Sequence, residues 1–497
     1  MEVTSRVEQL TGAVELQAYQ QRAEAFWQAE TRCLYRGAAG LTPDLDLAKV
    51  YQEYGDLFSR ETVLALIGST SAQPAVRSLA AYAAFRYLQG SIAAQDDEIF
   101  GRMASSKLNV EGEEIPFFAA DRMMANEGGV LKRRAIYEAR RQVVQRDNPL
   151  RKQRWEQMQA LANDLGFDNY GELCDRLKGL QLYPLYLMAA EILEETEAMY
   201  RAQLPAFARQ VVGPDKLQSA DVYYLMRGKA YDPLFPPSGL KEAVYSTARD
   251  LGFDLDQIQG LEFDAEPRPQ KSPRPFTAYV RVPDEIKLVI NPVGGYSDYI
   301  FSLHELGHSL MGIAIDPQLP FINRYLGDDT VGEVFAFLFE DLARTEAWVS
   351  ERVHGLQTYL YLQHANFIHL MSIRRCAAKF MFEYEYHTGA LEGDPAERYS
   401  EVLSGRLQIY IPPDFYLIDM DDGFYSAQYL RAWILVAQLR EYLQASFGAN
   451  WFKNRDCGAY LRELWRAGQP EYGEDLAIRI GCDGLDTRAL IRSLNSR

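Results

Sequence analysis

The run Ser297-Asp-Tyr-Ile-Phe-Ser-Leu-His-Glu-Leu-Gly-His-Ser-Leu310 holds two histidines four positions apart, with a glutamate directly after the first. On a helix, residues at this spacing point within about 40° of each other, so His304 and His308 aim two imidazoles at one point. Neutral imidazole nitrogen is a good ligand for Zn2+, and Glu305 can reach a water on such a metal without ligating it. Gly307 costs about 1 kcal/mol relative to alanine inside a helix, which implies that another element passes close by. Ile300, Leu303, Leu310 and Met311 supply apolar faces that hold the segment in a core. Taken alone, the five residues His304 to His308 also fit a helix carrying ordinary core or surface histidines.

A third ligand would decide more. Downstream lies Asp328-Asp-Thr-Val-Gly-Glu-Val-Phe-Ala-Phe-Leu-Phe-Glu-Asp-Leu342, in which Glu333 and Glu340 stand seven apart and share a helix face. Glu333 is the candidate ligand. Thr330-Val-Gly-Glu333 also fits a capping box, in which Glu333 would bond back to the Thr330 backbone. Against that, Glu333 leads into Val-Phe-Ala-Phe-Leu-Phe, a run so apolar that a carboxylate within it needs a partner, and a metal is one. Glu340 could accept a hydrogen bond from the free ring nitrogen of a ligand histidine.

The elements that must position these residues are mostly helical. Apolar residues recur at three-and-four spacing over Gln17–Arg36, Ala75–Leu88, Gln153–Leu165, Leu185–Gln203 and Leu356–Tyr386. Breaks are expected at Gly37–Gly40, Asn148–Pro149, Asp232–Pro237 and Asp264–Pro275. In the last of these, four prolines between Glu266 and Pro275 forbid both helix and central strand. The convincing strands follow it: Phe276–Val282 and Ile286–Ile290, rich in β-branched and aromatic residues and joined by a Pro-Asp-Glu turn. Ser297 and Asp298 can then cap the histidine helix. The expected architecture is mainly α, with a small sheet immediately before the metal motif.

The 497 residues are 47% hydrophobic and 24% charged, an ordinary globular balance that excludes a fibrous or disordered chain. A net charge of −17 argues against nucleic acid as a partner, because phosphate binding needs a basic face. No apolar run is long enough to span a membrane, and the first residues lack the blocks of a signal peptide, so a soluble cytoplasmic protein is expected. The five scattered cysteines contain no Cys-x-x-Cys pair and indicate neither a disulfide framework nor a thiolate zinc site.

These residues resemble the thimet oligopeptidase and oligoendopeptidase F family of zinc peptidases, a gluzincin family. The resemblance lies in Ala278-Tyr-Val ahead of Ile286-Lys-Leu-Val-Ile-Asn291, in His304 to Leu310, and in Val331-Gly-Glu333 followed by Glu340. Weaker likenesses are Leu161–Leu173, Asp221–Tyr224, Leu234–Pro236 and Gly423–Tyr429, so that coverage runs roughly over residues 150 to 440. The resemblance implies a mainly α, two-lobed helical peptidase with a deep central channel. It implies one peptidase unit over residues 1–497, with a helical region over roughly 1–200 and a catalytic region over 201–497. It also implies that His304, His308 and Glu333 hold one Zn2+ per chain, that Glu305 is the general base, and that peptides are the substrates. On the same footing, Ala278 and Tyr279 in the edge strand Thr277–Val282 would bind the substrate backbone, and Tyr425 or Tyr429 would donate to the oxyanion.

The chain departs from the family in one segment. Where oligoendopeptidase F-like members carry a histidine, Asp419 stands in Leu417-Ile-Asp-Met-Asp-Asp-Gly423, and the family's last tyrosine there aligns with Ala432. A carboxylate cannot donate to an oxyanion unless protonated, so that role falls to a tyrosine, to Arg431, which equally reads as a solvated helix residue, or to a group the sequence does not single out. Three functions fit the residues: a peptidase, endo- or exo-acting; a non-catalytic peptide-binding protein on a peptidase scaffold; and a zinc hydrolase of non-peptide amides. Glu305 favours an enzyme, since a binder needs no general base.

Overall fold

The computed structural model describes residues 13–42, 46–70, 76–353, 355, 357–470 and 472–495. The chain divides into two compact units. The first comprises Met1–Tyr87, Tyr231–Leu362 and Arg431–Ala489, the second Leu88–Ala230, Gln363–Leu430 and Leu490–Arg497. Among the described residues no helix is long and apolar enough to cross a membrane. The fold is mainly α with little sheet, as expected. Four helices matter below: α1 (Ala13–Ala38), α2 (Tyr296–Ala314), α3 (Asp329–Glu340) and α4 (Tyr425–Phe447). Among the described residues the strands are β1 (Lys107–Val110), β2 (Glu113–Pro116), β3 (Leu261–Asp264), β4 (Phe276–Arg281) and β5 (Glu285–Val289).

In the first unit β3, β5 and β4 form a three-stranded sheet with β5 in the middle, parallel to β3 and antiparallel to β4. β4 and β5 fall within a residue of the strands expected from sequence. β3 was not expected: four residues, Leu-Glu-Phe-Asp, carry two carboxylates and offer no clear alternation. The period of two along β4 divides its side chains between two helices. Ala278 and Val280 join Val289 in a cluster with Tyr35 of α1 and Ala39 just beyond its end, against which Phe276 packs. Thr277 and Tyr279 point the other way, onto α2. The proline-rich segment before β4 is irregular, as its prolines require. Buried Lys271 closes it, its Nζ donating at 2.9 Å to Asp264 Oδ1 and to the carbonyls of Asp264 and Glu266.

The second unit contains the β1–β2 hairpin, which sequence reading missed because Lys-Leu-Asn-Val and Glu-Glu-Ile-Pro are short and half charged. It also contains the long helix Val130–Asp164, which runs through Pro149 where a break was expected. There the Arg151 guanidinium donates to the Val144 carbonyl at 3.0 Å. The same helix carries Arg133, whose side chain is fully buried against that of Asp221 at 2.8 Å. The other expected helices are present with shifted ends. Gln17–Arg36 lies within α1, Leu185–Gln203 splits at Thr196 into Leu182–Glu195 and Glu197–Val212, and Ala75–Leu88 and Leu356–Tyr386 correspond to Arg77–Ser105 and Thr358–Thr388. Ala75 and Leu356 themselves lie outside the described residues.

Candidate metal centre

α2 begins at Tyr296 behind Gly295, one residue before the expected cap at Ser297 and Asp298. Asp298 instead folds its carboxylate back to accept the Val293 and Gly294 N–H groups, each at 2.7 Å, which fixes the approach to the helix. From there nearly the whole circumference is buried, and α2 packs directly against α3. Their contact is closest at Gly307: a Cβ there would lie 2.4 Å from the Phe335 carbonyl oxygen and 2.8 Å from the Ala336 Cα. The puzzling glycine is thus the point at which two backbones touch, and that approach brings Glu333 to the histidines.

α3 starts at Asp329. Asp328 Oδ1 caps it by accepting the Thr330 N–H at 3.0 Å, so Thr330 is not the cap and Glu333 makes no capping box. Asp328 Oδ2 in turn accepts from Arg431 at 2.7 Å and from the Gly473 N–H at 2.8 Å. Arg431 is therefore not a solvated helix residue. It is fully buried, donates also to Thr330 Oγ1 at 2.9 Å, and forks onto Glu474 at 3.0 and 2.8 Å. Burial works against the Asp328 charge, yet Arg431 and the surrounding donors hold its carboxyl below the usual range. With its guanidinium so occupied, Arg431 serves the start of α3.

The ligand atoms converge. His304 Nε2 lies 3.4 Å from Glu333 Oε2 and His308 Nε2 lies 3.9 Å from Glu333 Oε1. One ligand atom from each residue falls within 4.8 Å of the others. Ligands about 2.0–2.2 Å from a zinc ion stand roughly 3.3–3.6 Å apart in a tetrahedron, so this triangle fits such an ion with modest contraction. Behind it, His304 Nδ1 is 2.8 Å from Glu340 Oε2, which turns Nε2 toward the cluster. The Phe337 ring closes one side of His304, backed by the stacked Trp433 of α4.

The electrostatics call for a cation. Burial disfavours a charged His304, but the Glu340 hydrogen bond and the charges of Glu340, Glu333 and Glu305 prevail and raise it to about 9. His308 is pushed well below its usual value by burial and by its neighbour His304, leaving the neutral imidazole that a metal needs. Glu340, though buried, is held down to about 2 by Arg344 and His304. Burial raises the Glu305 carboxyl.

β4 lies against this helix and is bolted to it at two points. Thr277 Oγ1 donates to the Glu305 carbonyl at 2.9 Å and is 3.0 Å from Ser309 Oγ, while Tyr279 Oη donates to the His308 carbonyl at 2.6 Å. Gly312 makes room for the Tyr279 ring, since a Cβ there would lie 2.7 Å from Cε1. The Ile286 N–H donates to Gly260 on the β3 side, so Tyr279 and Ile286 form a non-bonded pair of the antiparallel ladder. The main-chain groups of Thr277 and Tyr279 therefore face the open edge, and those of Ala278 face β5. Trp27 Nε1 already donates to the Tyr279 carbonyl at 2.9 Å.

The remaining residues singled out in the sequence belong to the second unit. Tyr425, 40% exposed, donates from Oη to Tyr429 Oη at 3.4 Å, with the ring centroids 4.6 Å apart. Asp419, where a histidine was expected, pairs with Arg375 and accepts from Tyr399 Oη at 2.8 Å. Burial opposes its charge, but Arg375 and Lys379 keep its carboxyl below the usual range, so it stays an acceptor. Arg344, Asp341 and Arg440 in the first unit were missed. An arginine four residues after Glu340 is a helical pairing signal that would have found the first, whereas Arg440 lies 99 positions from Asp341 and carries none.

No protein-family model matches the chain, and no curated protein matches it. Solved structures do. A candidate peptidase from Chlamydophila abortus superposes with a TM-score of 0.68 at 12% identity, covering 97% of this chain and 89% of its own. A Pyrococcus furiosus carboxypeptidase gives 0.61 at 14% identity over 99% of this chain and 98% of its own. A candidate oligoendopeptidase F from Bacillus anthracis str. Ames gives 0.56 at 15% identity over 98% and 85%. The chain has the fold of the oligoendopeptidase F-like helical peptidases.

Proposed function

We propose that this chain is a zinc-dependent peptidase that hydrolyses short peptides. The observation that carries the reading is the triangle of His304, His308 and Glu333, with Glu305 beside it and an edge strand bolted to the same helix. A zinc ion held there supplies Lewis-acid polarisation of a peptide carbonyl and acidification of water. Glu305 takes the proton of the attacking water on a carboxylate oxygen and delivers it to the leaving amine nitrogen. Its raised pKa suits a group that must keep a proton between the two transfers. Thr277 offers its edge-facing N–H and carbonyl to the substrate main chain, flanked by Ala278 and by Tyr279, whose own carbonyl is covered by Trp27. Tyr425 and Tyr429 are the candidate phenol donors to the charge that develops on the carbonyl oxygen. Arg431 is not among them, because Asp328 and Glu474 occupy it. The cytoplasm is the proposed compartment.

A mixed-peptide digest read by mass spectrometry, with zinc content measured in parallel, tests the reading. Wild-type protein should hold one zinc and cleave, and Glu305→Gln should hold zinc and cleave at least about 100-fold more slowly. Intact peptides with a full complement of zinc would instead identify a non-catalytic peptide binder. The ends of the products distinguish endo- from exo-cleavage.

A further inference from the structure

α3 does not stop at Glu340 but tightens into a 3-10 turn over Asp341–Arg344. That turn brings Arg344 back under two successive carboxylates: Nη2 donates to Glu340 Oε1 at 2.6 Å and Nη1 to Asp341 Oδ1 at 3.0 Å. Tyr361 Oη donates to the Ala343 carbonyl at 2.8 Å and pins the turn from outside. The other Asp341 oxygen, Oδ2, accepts from Arg440 Nη1 of α4. With the His304–Glu340 bond, the side chains form one unbroken buried series of alternating charge: His304, Glu340, Arg344, Asp341, Arg440. None of their side chains is more than 11% exposed. The far end reaches the wall of a cavity of about 500 Å³, which Asp341 and Arg440 line together with Thr345, Gln444 and Trp451.

Each member has the next member to hold its rotamer. A carboxylate that only met His304 could swing about its own side-chain torsions. Glu340 cannot, because its second oxygen is held by Arg344, and Arg344 cannot follow it, because its other nitrogen is held by Asp341. We propose that Arg344, Asp341 and Arg440 are positioning residues of the metal centre: they lock Glu340, and through it the ring of His304, in the orientation that presents Nε2 to the metal. The inference rests on the metal-site reading above.

The test is zinc affinity, measured by competition against a chromophoric chelator, with folding of the metal-free proteins followed by circular dichroism. Arg344→Met, which acts on His304 only through Glu340, should weaken zinc binding about 10-fold, the low end of the range for loss of an outer partner of a ligand histidine. Arg344→Lys, which keeps the charge but can reach only one carboxylate at a time, should fall in between. Arg440→Met should weaken binding severalfold. Should that variant fail to fold, Asp341→Asn/Arg440→Gln, uncharged and close in shape, makes the same measurement. Arg133→Met removes a still more deeply buried arginine from its aspartate in the second unit, and should destabilise the protein while leaving zinc affinity at the wild-type value. Wild-type affinity in folded Arg344→Met and in the pair variant overturns the inference. So does equal weakening in Arg133→Met, which would mean that general loosening and not positioning is being read. Wild-type protein that binds no zinc in the same titration overturns the metal-site reading itself, and this inference with it.

Discussion

The metal cluster and the segment from Asp419 to Tyr429 are built in opposite ways. In the first, two apolar helices touch backbone to backbone at Gly307, and the polar groups sit at the ends of α3, each caught by an arginine from α4: Arg431 at the start, Arg440 through Asp341 at the finish. In the second, an irregular turn in which Gly423 and even Phe424 adopt positive φ is held by side chains of another helix. Arg375, Lys379 and Glu383, four apart along Thr358–Thr388, meet in order Asp419, Asp421 and the pair Asp421 N–H and Ser426. The first region takes its geometry from packing and uses charge to fix the ends. The second takes it from charge, and its packing follows. Substitutions that act on packing should therefore hurt the metal region most, and changes of pH the tyrosine segment.

The largest effect expected is on the metal. Glu333→Ala removes one of the three proposed ligands and should lower zinc affinity by more than about 100-fold, beyond what loss of an outer partner produces. Glu340→Gln should lower it about 10- to 100-fold, since the amide still meets His304 but loses the charge that polarises it. Isothermal titration of the metal-free proteins checks both. Equal losses would mean that Glu333 is no ligand and that its carboxylate acts only through the field it adds.

Next in size comes the helix contact. Gly307→Ala drives a Cβ into the Phe335 carbonyl, which cannot yield without parting α2 from α3, and should destabilise the protein by about 3 kcal/mol. Gly405, exposed inside the helix Pro395–Leu407 with no neighbouring atom within 4 Å, is the matched control. There the same substitution should stabilise by about 0.5–1 kcal/mol, since alanine is the better helix former and meets nothing. Urea denaturation of both variants reads the pair. Equal effects would remove packing as the source of the metal region's geometry.

The same contrast explains what was legible in the sequence. His304, Glu305, Gly307 and His308 speak through spacings of one helical turn, and β4 and β5 through alternation, so the motif, the glycine's purpose and the strand pair could be read directly. Glu333 could be read because a lone carboxylate entering an apolar helix needs a reason. The rest depends on pairings across long stretches of chain. Arg431 reads as one more helical arginine until the fold brings Asp328 to it across 103 positions. Pro149 reads as a break because proline ends or kinks most helices, whereas this helix runs through it with Val144, Asp147 and Arg151 buried on either side. β3 is a strand only because β5 lies beside it. Asp419 raised a question as an absent histidine, and its partner Arg375, one face of a helix away, lies 44 positions back.

The smallest effect is one of pH, and it belongs to the charged segment. Burial, with the Asp421 charge beside it, pushes the Glu383 carboxyl up to about 8, against the pull of Lys379 and of the Ser426 and Asp421 donors. An unfolded glutamate titrates near about 4.3, so the folded state holds this proton more tightly. Its contribution to stability is complete below about pH 4.3 and is lost as the pH rises through about 8. Glu383→Gln keeps an acceptor for the Ser426 hydroxyl or the Asp421 N–H but has no proton to lose. The wild-type urea midpoint should thus fall between pH 6 and pH 9 while that of the variant changes less, and a Gly307→Ala protein should keep the wild-type pH dependence at a lower midpoint throughout. If the two curves run parallel, charge is not what holds the turn before Tyr425, and the division between a packed metal region and a charge-held tyrosine segment fails on its second half.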